Sequence, residues 1–181
     1  SLYGRNSLIE ILRCTSRQVF VPITAGGAIR SVADAGALLS SGADKIAINT
    51  AAISCPDLIR ELSEAFGSQC VVLSVQARKL SSSSWEAMTE AGRERSGRDV
   101  LDWIQEAQEL GAGEILVTSV DQDGTLKGPD SLLVQQISDV CSVPLIVGGR
   151  FSTSDHICTA LAFPSVSAIS IVAALHRKVL S

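Results

Sequence analysis

The stretch VPITAGG, Val21–Gly27, decides the fold because the chain writes it twice. VPLIVGG, Val143–Gly149, repeats the pattern 122 residues later: Val-Pro, then aliphatic residues, then Gly-Gly. Ala51-Ala52 and Ala173-Ala174 are separated by the same 122 residues. One offset shared by three pairs marks two related units, each a strand, a Gly-Gly turn, a helix and a second strand. The apolar, β-branched character of both stretches is that of strands covered on two faces.

Working outward, four further runs read as strands: Lys45–Thr50, Cys70–Ala77, Glu114–Val120 and Ser167–Ala174. Helical patterns lie between them. Pro56 opens one that Gly67 closes, and Arg98–Leu110 carries Val100, Ile104 and Ala107 on one face before Gly111. Pro129 opens a third, with Leu132, Leu133, Ile137 and Val140 inward, and Thr153 caps a fourth. Strands alternating with helices mean βα units around a parallel sheet. No linker interrupts them, so residues 1–181 read as one domain. Two full halves would give eight βα units, and a (β/α)8 barrel takes about 250 residues. The offset puts the counterparts of the strands at 70–77 and 114–120 upstream of Ser1. The expectation is an α/β chain of the (β/α)8 TIM-barrel family with about six βα units and the first two strands missing.

Composition narrows the function. The 181 residues are 46% hydrophobic and 19% charged, enough apolar content for a sizeable core. Fifteen Lys and Arg against nineteen Asp and Glu leave a net charge of −4, with no basic footprint for nucleic acid. No apolar run reaches the roughly 18 residues of a membrane span, and SLYGRNS is no signal-peptide core. Five scattered cysteines, Cys14, Cys55, Cys70, Cys141 and Cys158, read as buried thiols in a reducing cytoplasm. Cys158 and His156 lack further partners for zinc, and nothing calls for a metal or an organic cofactor.

Ligands of a barrel sit at the C-terminal strand ends. Here those ends are Gly26-Gly27, Asn49-Thr50, Gln76, Thr118-Ser119, Asp121 with Asp123-Gly124-Thr125, and Gly148-Gly149. A Gly-Gly pair lets backbone N–H groups approach an anion beside a helix N-terminus. Two such pairs related by a repeat suggest a ligand with two phosphates, whereas either alone would be a plain tight turn. Asp121 and Asp123 lack the frame of a calcium loop. A carboxylate there either meets a ligand or caps the loop. His156 and His176 read as structural, and Ser81–Ser84 with Trp85 as a surface loop between strand and helix.

Gly26-Gly27, GADKIAINTAA (Gly42–Ala52), FGSQCVV (Phe66–Val72), GAGEILVTSVDQDGT (Gly111–Thr125) and SAISIVAALH make the match specific. From about Ser7 to His176 the chain resembles the cyclase subunit of imidazole glycerol phosphate synthase, of histidine biosynthesis. The resemblance implies a barrel that takes ammonia from a glutaminase partner in a heterodimer. It also implies conversion of a bisphosphorylated aminoimidazole carboxamide ribonucleotide to imidazole glycerol phosphate. By the same resemblance Asn49 and Thr50 bind one phosphate, Thr118 and Gly124 lie in the substrate mouth, and Gly148 and Gly149 serve the other phosphate. Asp44, Lys45 and Glu114 match the ammonia entrance and glutaminase interface; without the resemblance they would read as a surface ion cluster.

Departures from the pattern matter as much. The family uses two aspartates as acid and base, at the ends of its first and fifth strands. The first strand has no counterpart here, and Gln76 stands at the fifth-strand position. An amide cannot replace a general acid or base near neutral pH, so Asp121 and Asp123 are the first candidates. Arg150 and Ala28 replace glycines, and Ala173 a hydroxyl residue. Arg150 either contacts a phosphate or blocks the loop. Three functions follow: a cyclase with a degenerate site, a non-catalytic ammonia-channelling scaffold of the kind found in surface-polysaccharide amidation, or an inactive fragment. Open sheet edges would also template self-association.

Overall fold

The computed structural model describes residues 5–27, 29–121, 128–149 and 151–171. They fall into two compact units, residues 1–73 with 110–113 and residues 74–109 with 114–181.

The first unit begins with helix α1 (Arg5–Thr15) and strand β1 (Thr24–Gly26). Ser31 caps α2 (Val32–Leu39) by accepting the Asp34 N–H at 3.2 Å, while the Asp34 carboxylate accepts the Arg30 N–H at 3.0 Å. Strand β2 (Lys45–Ile48), the short α3 (Thr50–Ser54) and α4 (Asp57–Phe66) follow. Gly67, at φ 87°, ends α4 as expected, since a side chain there would be strained. Strand β1 pairs parallel with β2, and β2 with the first residues of β3 (Val71–Lys79). Ile46, Val71, Val72 and Leu73 are buried, and Leu58, Ile59 and Leu62 of α4 are buried with them. Phe66 packs its ring against Gly36 of α2.

The second unit carries the rest of β3, then β4 (Trp85–Thr89) and β5 (Glu94–Asp99) as an antiparallel ribbon. Helix α5 (Val100–Glu109), β6 (Glu114–Ser119), α6 (Ser131–Val140), β7 (Leu145–Gly149), α7 (Ser154–Leu161) and β8 (Val166–Ile171) complete it. The strand order is β3-β6-β7-β8, with β4 and β5 branching from β3. β7 pairs parallel with β6 on one side and β8 on the other. Gln108 joins α5 to the end of α6, donating to the Val140 carbonyl and accepting from the Ser142 N–H.

All six expected strands exist and run in chain order, parallel in every described pairing of the two units. This is the sheet of the (β/α)8 barrel family, with six of its strands present. Three readings need correction. Ser81–Ser84 is no loop between strand and helix: it is the tip of the β3–β4 hairpin, and Trp85 is buried in β4. Helix α6 starts at Ser131 under an Asp130 cap, not at Pro129; that phase buries Leu133, Val134 and Ile137 and leaves Leu132 45% exposed and Val140 only half-buried. The five cysteines are free but none is buried, because they stand at helix ends and outer faces: Cys14, Cys55 and Cys158 are exposed, Cys70 and Cys141 half-buried.

Candidate functional site

In the first unit the C-terminal strand ends are Gly26-Gly27 and Asn49-Thr50. Gly26 stands opposite Ala47, and a Cβ on it would lie 3.0 Å from the Ala47 carbonyl oxygen. Only glycine fits there. Gly27 differs: its φ of 102° requires glycine, yet a Cβ would meet nothing within 4 Å. Open space over a backbone N–H is what close approach of an anion needs. Asn49 precedes α3, and its carbonyl accepts the Ile53 N–H at 3.0 Å. At the other end of β2, the Asp44 carboxylate accepts the Ile23 N–H at 2.8 Å, and the Asp44 N–H donates back to the Ile23 carbonyl at 2.8 Å. Asp44 therefore ties the start of β2 to the chain entering β1, with Lys45 half-buried beside it.

The second unit repeats the glycine arrangement. Gly148 is the register partner of Thr118, and a Cβ on it would lie 2.6 Å from the Thr118 hydroxyl. Gly149, like Gly27, has nothing among the described residues within 4 Å of a Cβ. In each unit the first glycine is closed by a neighbouring strand and the second is open. Thr118 and Gly148 are thus brought together. Ser119 next to them is buried with its hydroxyl unsatisfied among the described residues. Glu114 begins β6, half-buried.

Gln76 lies on β3 opposite Met88 of the ribbon. The turn from Glu90 to Gly92 packs beside it: a Cβ on Gly92 would stand 3.7 Å from the Gln76 Oε1 and 3.1 Å from Val120. Glu90 and Ala91 hold φ of 47° and 59°, a left-handed backbone that non-glycine residues adopt at a cost of about 1 kcal/mol each. Asp121, one of two replacement acids suggested by the sequence, accepts the Lys79 N–H at 2.6 Å. Its oxygen Oδ2 ties the end of β6 to β3. Gly124, Asp123 and Arg150, with Ala28, Ala173 and His176, lie outside the described residues.

Sequence reasoning missed the ribbon and the groups it assembles. Trp85 donates its indole N–H to Asp130 at 3.1 Å, and the Lys79 ammonium lies 5.2 Å over the Trp85 ring. Glu86, 2% exposed, accepts from the Arg95 Nε and the Gly97 N–H, both at 2.7 Å. Burial raises the pKa of this carboxyl, but the Gly97 and Arg95 hydrogen bonds and the charges of Arg95 and Arg78 outweigh it, so the net shift is downward. The signal available beforehand was Arg-rich spacing alone, which a solvated surface also shows. His156 bonds through Nδ1 to the Ser152 hydroxyl at 3.2 Å and packs on Gly128, a structural role as expected. Among the described residues, no three His, Cys, Asp or Glu side chains group to hold a metal ion, and no helix is long and apolar enough to cross a membrane.

The profile of the family described as "Histidine biosynthesis protein" matches residues 1–181. Imidazole glycerol phosphate synthase subunit HisF of Legionella pneumophila is 56% identical over 149 residues, covering 82% of this chain and 70% of that protein. The HisF subunit of Streptococcus sanguinis (strain SK36) is 49% identical over 153 residues, covering 84% of this chain and 61% of the relative. That of Mycobacterium tuberculosis (strain ATCC 25177 / H37Ra) is 44% identical over 165 residues, covering 88% and 62%. The chain thus spans between 61% and 70% of the length of these relatives. Six parallel strands with helices between them, a glycine geometry that occurs once in each unit and these identities agree: the chain belongs to the histidine biosynthesis protein family, alongside the HisF subunits of imidazole glycerol phosphate synthase.

Proposed function

We propose that the chain is a cyclase-type subunit of imidazole glycerol phosphate synthase whose fifth-strand acid is replaced by an amide. What carries the reading is 56% identity to a HisF subunit combined with an amide, Gln76, on β3. Its ligand is the bisphosphorylated aminoimidazole carboxamide ribonucleotide. Gly26, Gly27, Asn49 and Thr50 take one phosphate; Thr118, Gly148 and Gly149, with Gly124 and Arg150, take the other. The physical support is the space where a Cβ would stand on Gly27 and Gly149, open among the described residues, which leaves room for an oxyanion beside the backbone. By the resemblance, Asp44 and Lys45 of the first unit and Glu114 of the second belong to an ammonia entrance and glutaminase interface.

Proton transfer is the weak link. Gln76 can hydrogen-bond a ligand, but an amide does not act as a general acid or base near neutral pH. From the sequence, Asp121 and Asp123 are the first candidates to replace the acid, and Asp121 is oriented by the Lys79 N–H. The same Gln76 favours a second reading, a scaffold that binds a glutaminase and passes ammonia to another enzyme without binding the ribonucleotide. Calorimetric titration separates the two. The cyclase-type reading expects the bisphosphorylated ribonucleotide to bind at least about tenfold more tightly than inorganic phosphate, since two anchored phosphates act together. Equal affinities, with glutaminase binding intact, would favour the scaffold.

A further inference from the structure

The β3–β4–β5 ribbon presents one face whose polar groups have no part in the reading above. Directly opposed residues of an antiparallel pair share a face, as do residues two apart on a strand. Arg78 opposes Glu86, Gln76 opposes Met88, and Met88 opposes Arg95. Gln76, Arg78, Glu86, Met88 and Arg95 therefore share one face of the ribbon.

Both oxygens of Glu86 are engaged, Oε1 by the Gly97 N–H and Oε2 by the Arg95 Nε. This fixes the carboxylate and holds the Arg95 guanidinium by its inner edge. The two Nη groups of Arg95 remain as donors, on a side chain 68% exposed. Arg78 is exposed and makes no hydrogen bond or ion pair with a described residue, while its charge reaches Glu86 strongly enough to lower the carboxyl's pKa. Asp99 opposes Glu86 on β5 and is engaged by the Leu101 and Asp102 N–H groups, so it leaves the Arg78 guanidinium without a side-chain partner among the described residues. For filling the space of Glu86 alone, an apolar side chain would be as good or better, because burying a carboxylate is costly. What the carboxylate adds is orientation, and an oriented guanidinium is the side chain suited to bidentate recognition of phosphate.

We propose that Arg78 and Arg95, aligned by the buried Glu86, form a binding site for a phosphate ester on the ribbon face that carries Gln76. The site rests on the reading of this strand end as a ligand mouth, but not on the cyclase reaction. Glu86 and Gly97 position Arg95; Arg78 and the Nη groups of Arg95 make the contact.

The test uses the 181-residue chain labelled with 15N, titrated with inorganic phosphate and, in parallel, with acetate. The Arg78 and Arg95 Nε–H resonances report this site, and the Asn49 and Thr50 amides report the first unit's strand end. Phosphate is expected to shift both arginine resonances saturably, and acetate to shift them at least about tenfold less effectively. Arg78→Met should weaken the phosphate response of Arg95 by about tenfold while the Asn49 and Thr50 responses persist. Arg78→Lys, which keeps the charge and loses the fork, should fall between the two. Arginine resonances indifferent to phosphate, an Arg78→Met titration that superimposes on the native one, or acetate binding as well as phosphate would each overturn the proposal. Silence at Asn49 and Thr50 alone would instead count against the ligand-mouth reading and leave the arginine site standing.

Discussion

Two regions around β3 are built on opposite terms. The parallel strands β6, β7 and β8 bury aliphatic residues such as Ile115, Val117, Leu145 and Val147, and leave the strand ends to glycine and threonine. The antiparallel ribbon of β4 and β5 buries an acid, Glu86, and an indole, Trp85, each satisfied by a named partner. Parallel strands gain from hydrophobic area, which is non-directional and tolerant of detail. The ribbon gains from specific bonds, which fail singly and expensively when one partner goes. Chemistry accumulates at the second kind of place, and the ribbon lies against Gln76.

The largest effect expected on this contrast is at Trp85. Its ring is fully buried, and its indole bonds Asp130, the residue that caps α6. Trp85→Ala should cost about 3–5 kcal/mol of unfolding free energy in urea. A cost within about 0.5 kcal/mol, the size for an exposed residue such as Phe20, would mean that the ribbon is a passive insert. The glycines come next. Gly148→Ala places a Cβ against the Thr118 hydroxyl and should cost about 1–3 kcal/mol. Gly27→Ala should cost about 1 kcal/mol because of its positive φ. Gly149→Ala, with open space and no such constraint, should change stability by less than about 0.5 kcal/mol while altering anion binding.

The strands were legible because a covered parallel strand is a run of aliphatic residues, and because VPITAGG and VPLIVGG advertise each other. Caps were legible too: Thr153 accepts the His156 N–H, and Gly67 stops α4. The ribbon was not. All five residues of β4 are buried, so Trp-Glu-Ala-Met-Thr shows neither the alternation of a half-buried strand nor an apolar run. Glu86 finds its partners, Arg95 and Gly97, only when β5 folds back onto β4, nine and eleven residues along the chain. Leu132 misled for a related reason: the phase of α6 is set by the Asp130 cap, which leucine spacing alone does not reveal. At the site, the glycine pairs were readable from the repeat, whereas the Lys79 N–H held by Asp121 depends on a contact across forty-two residues.

A smaller effect sharpens the ribbon's side of the comparison. The Glu86 carboxyl has a folded-state pKa below its ordinary 4.5. Its stabilising contribution is therefore complete above about pH 4.5 and is lost as pH falls through the lower folded value. The stability difference between the native chain and Glu86→Gln should be constant from pH 6 to 8 and shrink below about pH 4.5. A difference that grows on acidification would reverse the assignment. Smallest is the ranking of the two phosphate ends. By the resemblance, Arg150 and Ala173 would depart from the family pattern, whereas Asn49-Thr50 would keep it. Phosphate should saturate the Asn49 and Thr50 amide shifts at lower concentration than those of Gly148 and Gly149, and the opposite order would reverse the ranking.

The central claim is that an amide at position 76 removes proton transfer from the fifth-strand end. General acid–base groups typically contribute about 10²–10⁴-fold in rate, so replacing one carboxylic acid is a large loss. The direct measurement is turnover of the bisphosphorylated aminoimidazole carboxamide ribonucleotide by the 181-residue chain supplied with ammonia, beside its Gln76→Asp variant. The account predicts no detectable imidazole glycerol phosphate from the native chain, and no rescue by Gln76→Asp alone. Turnover by the native chain would contradict it and make Asp121 and Asp123 the first residues to substitute.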